Sequence, residues 1–178
     1  MDDPDPRQKE LLLVDDNRGD ARLLAECLRT LPFPYYLSIV TDGDSTLAFL
    51  QHQVPYTQAP TPDLILLDIH PLKRSGWEVL EWLRTQPALA PIPIVMWGGR
   101  IAPFDEHESE RLQPTECLTK PETFEGYQRL AELIAKLLIL QRDFDFAQAA
   151  VLAVDDAVSP FACDANDRRR SCAPGDTG

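Results

Sequence analysis

Cysteine is scarce and unpatterned in this chain. Cys27, Cys117, Cys163 and Cys172 are the four among 178 residues, and no two have C-x-x-C spacing. That excludes a zinc ribbon or a disulfide-built secreted scaffold and fits thiols in a reducing cytosol. Basic residues are also short: 17 Lys and Arg face 29 Asp and Glu, a formal charge of -12. A field of that sign repels phosphate backbones and argues against nucleic-acid partners. Arg168, Arg169 and Arg170 are too short a run in acidic surroundings to reverse this. No apolar run approaches the roughly 18–20 residues of a membrane helix, so no membrane role is expected. The opening MDDPDPRQKE is acidic and has no apolar stretch before Leu11, unlike a signal peptide. A cytoplasmic location follows as the expectation. No G-x-G-x-x-G follows the first apolar run, where DDNRGD stands instead, which disfavours a dinucleotide cofactor.

What is present is a composition of 44% hydrophobic and 26% charged residues, enough to bury one full core. Short apolar runs alternate with helical periods. Leu11-Leu12-Leu13-Val14 and Leu64-Ile65-Leu66-Leu67 are continuous runs of the kind shown by strands covered on both faces. Further strands are predicted over residues 35–40 and 92–97, with a short one at Cys117 and Leu118. Helices are predicted over 19–31, 42–50, 76–84 and 104–112, with a long last helix over 123–140 capped by Thr123. Five strands alternating with five helices predict an α/β fold: a doubly wound, five-stranded parallel sheet. The expected organisation is an N-terminal extension (1–8), one domain (9–141), and a C-terminal arm and tail (142–178). Within the arm, residues 144–154 allow a short helix or strand, and the polar composition from Asp155 onward predicts disorder.

In such a sheet, ligand chemistry gathers at the carboxyl ends of the strands. Asp15, Asp16 and Asn17 follow the first strand, Asp68 ends the third, and Lys120-Pro121 follows the fifth. Three converging carboxylates repel one another, and a hard, oxygen-seeking cation such as Mg2+ relieves that repulsion. Lys120 supplies a point charge for an entering anion. A carboxylate beside Mg2+ and a lysine can act as a nucleophile toward a phosphoryl group, forming an aspartyl phosphate.

This constellation resembles the receiver domain of two-component response regulators. The likeness covers residues 9–141 and rests on LLLVDDNRGDARLL, PDLILLDIH, Gly76 eight residues after Asp68, and LTKP. The Pro-rich APTPD loop before DLILLDIH looks most like the single-domain regulators that accompany bacterial phytochromes. The resemblance implies a flavodoxin-like fold, with Asp68 as phosphoacceptor and Mg2+ held by Asp15, Asp16, Asp68 and the backbone carbonyl of His70. It further implies Lys120 on the phosphoryl oxygen, a cis Lys120–Pro121 bond, and a sensor histidine kinase, of the bacteriophytochrome kind, as donor.

Three positions depart from the family pattern. The Thr or Ser that ends the fourth strand is replaced by Gly98, followed by Gly99, so phosphate binding there falls to backbone N–H groups. Cys117 stands where an aromatic is usual, three residues before the lysine. The usual Leu-Pro order after the phosphoacceptor is Pro71-Leu72. These changes bear on switching rather than on phosphorylation. A phosphatase or dehalogenase with an aspartate nucleophile is the enzymatic rival, but His70 occupies the place of its usual second aspartate, so no enzyme of that kind is expected. The other alternative is a phosphorylation-independent, pseudo-receiver binding module. About 38 residues follow the last helix, too few for a DNA-binding output domain, so output is expected by protein–protein contact. The wide apolar stripe of the last helix predicts a homodimer through that helix and the arm.

Overall fold

The computed structural model describes residues 8–70, 74–99 and 106–155. Five strands, β1 (Lys9–Val14), β2 (Tyr35–Val40), β3 (Leu64–Asp68), β4 (Ile94–Gly98) and β5 (Glu116–Thr119), alternate with five helices. The helices are α1 (Arg18–Leu28), α2 (Gly43–Leu50), α3 (Gly76–Arg84), α4 (Glu106–Leu112) and α5 (Phe124–Asp155). The sheet is parallel throughout, in the order β2-β1-β3-β4-β5. The chain leaves β1 for one edge and crosses to β3 on its other side, so the order reverses between these two central strands. A crevice opens at that point beyond their carboxyl ends.

Alternate residues of a strand face opposite sides, and the core divides accordingly. Leu11 and Leu13 pack with Leu24 and Leu28 of α1 and with Leu130, Ile134 and Leu138 of α5. Leu12 and Val14 pack with Phe49 of α2 and with Val79, Leu80 and Leu83 of α3. Local signals set the helix starts. Asn17 caps α1 by accepting from the Gly19 amide at 2.9 Å. Asp42 caps α2 through the Ser45 amide at 2.8 Å. Ser75 and Glu78 form a reciprocal capping box at α3. The Thr123 hydroxyl accepts from the Gly126 amide at 3.2 Å at the head of α5.

Most boundaries fall within one or two residues of those predicted, and three differences have a physical cause. Helix α1 stops at Leu28 rather than Leu31, because the Arg29, Thr30 and Leu31 amides turn back to carbonyls three residues earlier ahead of Pro32. Strand β4 begins at Ile94, not Ile92. Pro93 has no N–H to give a ladder, although its carbonyl accepts from Ile65 at 3.1 Å. The largest difference is α5, which runs to Asp155 with no break near Leu140. No proline interrupts residues 124–155, so residues 144–154 continue the helix rather than forming a separate element.

The chain divides into two compact units, Met1–Gln141 and Arg142–Gly178. The first carries the whole sheet; the second is helical through Asp155. The expected extension (all but its last residue) and the tail beyond Asp155 lie outside the described residues, as do Pro71 and Leu72. No described helix is long and apolar enough to cross a membrane.

Candidate functional site: an acidic cluster around a lysine

The ends of β1, β3 and β5 deliver the predicted residues to one crevice. Asp15 directly follows β1 and is fixed by its amide, which donates to the Val40 carbonyl at 3.0 Å. Asp68 ends β3. Both are buried, at 1% and 5% exposure, whereas Asp16 faces solvent. One carboxylate oxygen from each of the three lies within 4.8 Å of the others. Asp15 Oδ1 accepts from the Asn17 amide at 2.8 Å, and Asp68 Oδ1 accepts from the His70 amide at 3.0 Å. Each carboxylate is thus oriented by the backbone two residues ahead of it, leaving its second oxygen for the crevice.

Lys120 fills the middle. Its amide donates to the Gly98 carbonyl at 2.7 Å, which anchors it beyond β5. Its Nζ lies 2.6 Å from Asp68 Oδ2, 2.7 Å from Asp15 Oδ2 and 3.3 Å from Asp20 Oδ2. The same ammonium stands over the buried Trp97 ring, 4.9 Å from its centroid. Asp15 Oδ2 is at ion-pair distance from Nζ, yet it is buried and receives no aligned hydrogen bond.

Electrostatics follow from this crowding. Burial pushes the Asp15 carboxyl above its ordinary range. Lys120 and the Asn17 amide pull it back, and the neighbouring Asp68 charge adds to the upward push. For Lys120 burial disfavours the charge, but the Asp15 and Asp68 carboxylates outweigh it and hold the ammonium well above the usual lysine range. The ammonium form of Lys120 is therefore favoured, and it is shared among three carboxylates, Asp15, Asp20 and Asp68, with Asp16 a fourth close by. The donor set fits a small, hard divalent ion. It is all oxygen, Asp16 is open to water, and the carboxylates outnumber the single ammonium among them. The three oxygens lie within 4.8 Å of one another, so the short, roughly 2.0–2.1 Å bonds that Mg2+ makes would draw them closer together.

Several expectations need adjustment. The Lys120–Pro121 bond is not cis: among the described residues the cis bond is Val54–Pro55. Trans is the lower-energy isomer by about 0.5–1 kcal/mol before proline, and from it Lys120 already reaches its carboxylate partners. Gly98 is the buried last residue of β4. A Cβ there would lie 2.7 Å from Ile69 Cδ1, so Ile69 occupies the space a hydroxyl-bearing side chain needs. Gly99 is exposed, with nothing within 4 Å of where its Cβ would be. That leaves its surroundings open to an anion. His70 has an exposed side chain and serves the site here through its amide. Cys117 is half-buried beside Ser109 Oγ at 3.6 Å, and burial raises its thiol. It fills a small space rather than presenting a ring. Two site residues escaped the sequence reading: Asp20, four residues beyond Asp16, and Tyr127, whose hydroxyl donates to Asp20 Oδ1 at 2.8 Å. Their only signal was a carboxylate in the first turn of α1 and a phenol within an apolar helix stripe.

An acidic cluster around a lysine, at the carboxyl edge of a parallel sheet ordered β2-β1-β3-β4-β5, is the architecture of a receiver domain. No family model matches the chain. In sequence it is 42% identical over 96 residues to response regulator Rcp1 of Synechocystis sp., a match covering 54% of this chain and 65%, just under two thirds, of that protein. In structure it resembles the phosphorylated cyanobacterial phytochrome response regulator RcpA with a TM-score of 0.68 at 32% identity, covering 74% of this chain and 94% of RcpA. It also resembles the Mn2+-bound form of response regulator Rcp1, with a TM-score of 0.65 at 36% identity, covering 71% of this chain and 91% of that one. The chain belongs to the response regulators of the receiver type, whose general role is in phosphorelay signalling from a kinase.

Proposed function

We propose that this protein accepts a phosphoryl group on Asp68 from the phosphohistidine of a sensor kinase, in the presence of Mg2+. The observation that carries the proposal is the bridge made by Lys120 between Asp68 and Asp15, at 2.6 and 2.7 Å, beside the three-carboxylate cluster. A carboxylate oxygen of Asp68 forms a bond to phosphorus as the P–N bond of the donor breaks. The imidazole leaves with that electron pair and takes up a proton. Lys120, released from part of its contact with Asp68, compensates the negative charge of the incoming phosphoryl oxygens. The exposed Gly99 amide would supply a backbone donor to that charge, with open space around it. Asp15, Asp16 and Asp68, with the His70 carbonyl, would hold Mg2+, which when bound neutralises phosphoryl oxygens. The chain thereby acts as a phosphoacceptor in the cytoplasm and not as an enzyme on outside substrates. A phytochrome-type kinase is the proposed donor, supported by the likeness to RcpA, described as a phytochrome response regulator.

The test is uptake from acetyl phosphate. With Mg2+ the protein is expected to shift on a phosphate-affinity gel, and with EDTA to stay unshifted. An unshifted band under both conditions would leave the phosphorylation-independent binding module as the better account. Metal binding has its own readout in Trp97, which is buried and lies against Lys120. Millimolar Mg2+ is expected to change tryptophan emission, and the change should vanish in Trp97→Phe and in Asp15→Asn. A response that survives both substitutions would place the ion elsewhere.

For assembly we propose a two-fold dimer through α5. On that helix Ile139 and Leu140 are 44% and 63% exposed, although Leu138 beside them is buried. An isologous contact covers such a stripe and leaves both acidic sites accessible. Sedimentation at tens of micromolar should show a dimer, shifted toward monomer in Ile139→Glu/Leu140→Glu. A monomeric wild type would exclude it.

A further inference from the structure

The contact between Tyr127 and Asp20 joins helices α1 and α5 at the edge of the acidic site. The partners are 107 residues apart in sequence. Tyr127 is 2% exposed and sits in the core among Leu130, Ala131 and Leu24. A carboxylate in the first turn of a helix is stabilising by itself, which accounts for an acid at position 20. It does not account for a buried phenol whose hydroxyl reaches that acid from another helix. A phenylalanine would fill the same space without bringing a polar group into the core.

Asp20 is engaged at both oxygens. Oδ1 accepts from Tyr127 at 2.8 Å, and Oδ2 lies 3.3 Å from Lys120 Nζ. The three carboxylates close enough to share a cation are Asp15, Asp16 and Asp68; Asp20 is not among them. An ammonium has three donors, and here three carboxylates surround it. Two of those three, Asp15 and Asp68, belong to the cluster that a cation and a phosphoryl group would engage. Asp20 is the partner that would remain to Lys120 when those two are engaged. Its side chain and that of Lys120 are 18% and 15% exposed, so salt screens the pair little. Burial and the Asp20 charge both keep the Tyr127 hydroxyl protonated and able to donate.

We infer that Asp20, held by the Tyr127 hydroxyl, is a positioning residue that fixes where the Lys120 ammonium stands during phosphoryl transfer to Asp68. The inference rests on the phosphoacceptor reading above. Asp20 touches neither the nucleophile nor the incoming group; it acts through Lys120, and Tyr127 acts through Asp20.

The test uses the full chain with Tyr127→Phe, Asp20→Asn and the double variant. Tyr127→Phe keeps the ring and the net charge of the site, so a change in it reports the hydroxyl alone. In metal-free protein the Lys120 ammonium 1H–15N signal is expected to broaden or shift in both single variants. At saturating Mg2+ and acetyl phosphate, the uptake rate should fall about fivefold in each, well short of the roughly hundredfold of a ~1 Å misplacement because Asp15 still holds the ammonium, with half-saturation by acetyl phosphate unchanged. The double variant should be no slower than the slower single one, because both substitutions break one chain of contacts. Uptake within twofold of wild type in both single variants overturns the assignment, whether or not the signal moves. So does a slow double variant whose losses simply multiply. If wild type itself takes up no phosphate, the phosphoacceptor reading fails instead. The Lys120 signal then decides the positioning role alone, and an unchanged signal in both variants overturns it.

Discussion

Asp68→Asn is expected to abolish phosphoryl uptake, to below about one-hundredth of the wild-type rate, because it removes the nucleophile itself. The fold should survive. An asparagine oxygen can still accept from the His70 amide at the 3.0 Å position of Asp68 Oδ1, and Lys120 keeps Asp15 and Asp20 at 2.7 and 3.3 Å. The substitution also has a thermodynamic signature. Burial and, more weakly, the Asp68 charge hold the Asp15 carboxyl above its ordinary value. A carboxyl raised in the folded state lends stability that is present below its unfolded value and lost as pH rises through its folded value. With the Asp68 charge gone, Asp15 is raised less and less stability is lost. The part of the acid-to-neutral stability loss that Asp15 contributes should therefore shrink in Asp68→Asn, set against the loss of the Lys120–Asp68 ion pair at 2.6 Å. Urea unfolding at pH 4 and pH 7 checks the sign. Uptake that persists in the variant would move the phosphoacceptor to another carboxylate, with Asp15 and Asp16 the next to substitute.

The parts of this molecule readable from sequence are those where one residue type sits beside a buried strand. Leu11 to Val14 and Leu64 to Leu67 are apolar without interruption because helices cover both faces of the sheet. An acid placed directly after such a run must stand at the strand's carboxyl end, whatever the loops do. Asp15, Asp16 and Asp68 were therefore placed by pattern alone, as was Lys120 by the LTKP run. Helix ends were legible where a cap is local, as at Asn17, Asp42 and Ser75. The end of α5 was not, because a shift in composition near Arg142 is no obstacle to continuing a helix that meets no proline.

What sequence could not supply depends on distant partners. Asp20 reads as an ordinary acid of an exposed first turn until Tyr127 arrives from the other end of the domain. The Lys120–Pro121 isomer is set by what surrounds it, with only about 0.5–1 kcal/mol of intrinsic preference to overcome. The loss of a hydroxyl at Gly98 is visible in the sequence. Its packing consequence is not, since the space goes to Ile69, a residue of the neighbouring strand's end. The cation over Trp97 likewise requires β4 and β5 to be paired before it exists.

Gly76→Ala should be the most disruptive alanine exchange among the described glycines. Gly76 opens α3, and its φ is negative, so handedness does not demand glycine there. In a helix the exchange would by itself gain at most about 1 kcal/mol. The added Cβ, however, would stand 2.2 Å from the Asp68 carbonyl oxygen and 3.1 Å from both the Asp68 carbonyl carbon and Ile69 Cα. All three are backbone atoms, at a point where the Gly76 amide already donates to the Ile69 carbonyl at 2.9 Å. No flexible side chain can yield, so either β3 or the head of α3 must shift. Overpacking of this kind costs about 1–3 kcal/mol and can cost more, and a rigid obstruction belongs at the upper end. The strain exceeds the helix gain, and a net loss of about 2 kcal/mol is expected in urea unfolding. Because the displaced carbonyl belongs to Asp68, phosphoryl uptake should fall in the molecules that remain folded, which pure destabilisation would not cause. A variant as stable and as fast as wild type would show that the approach of α3 to the end of β3 is looser than these distances require.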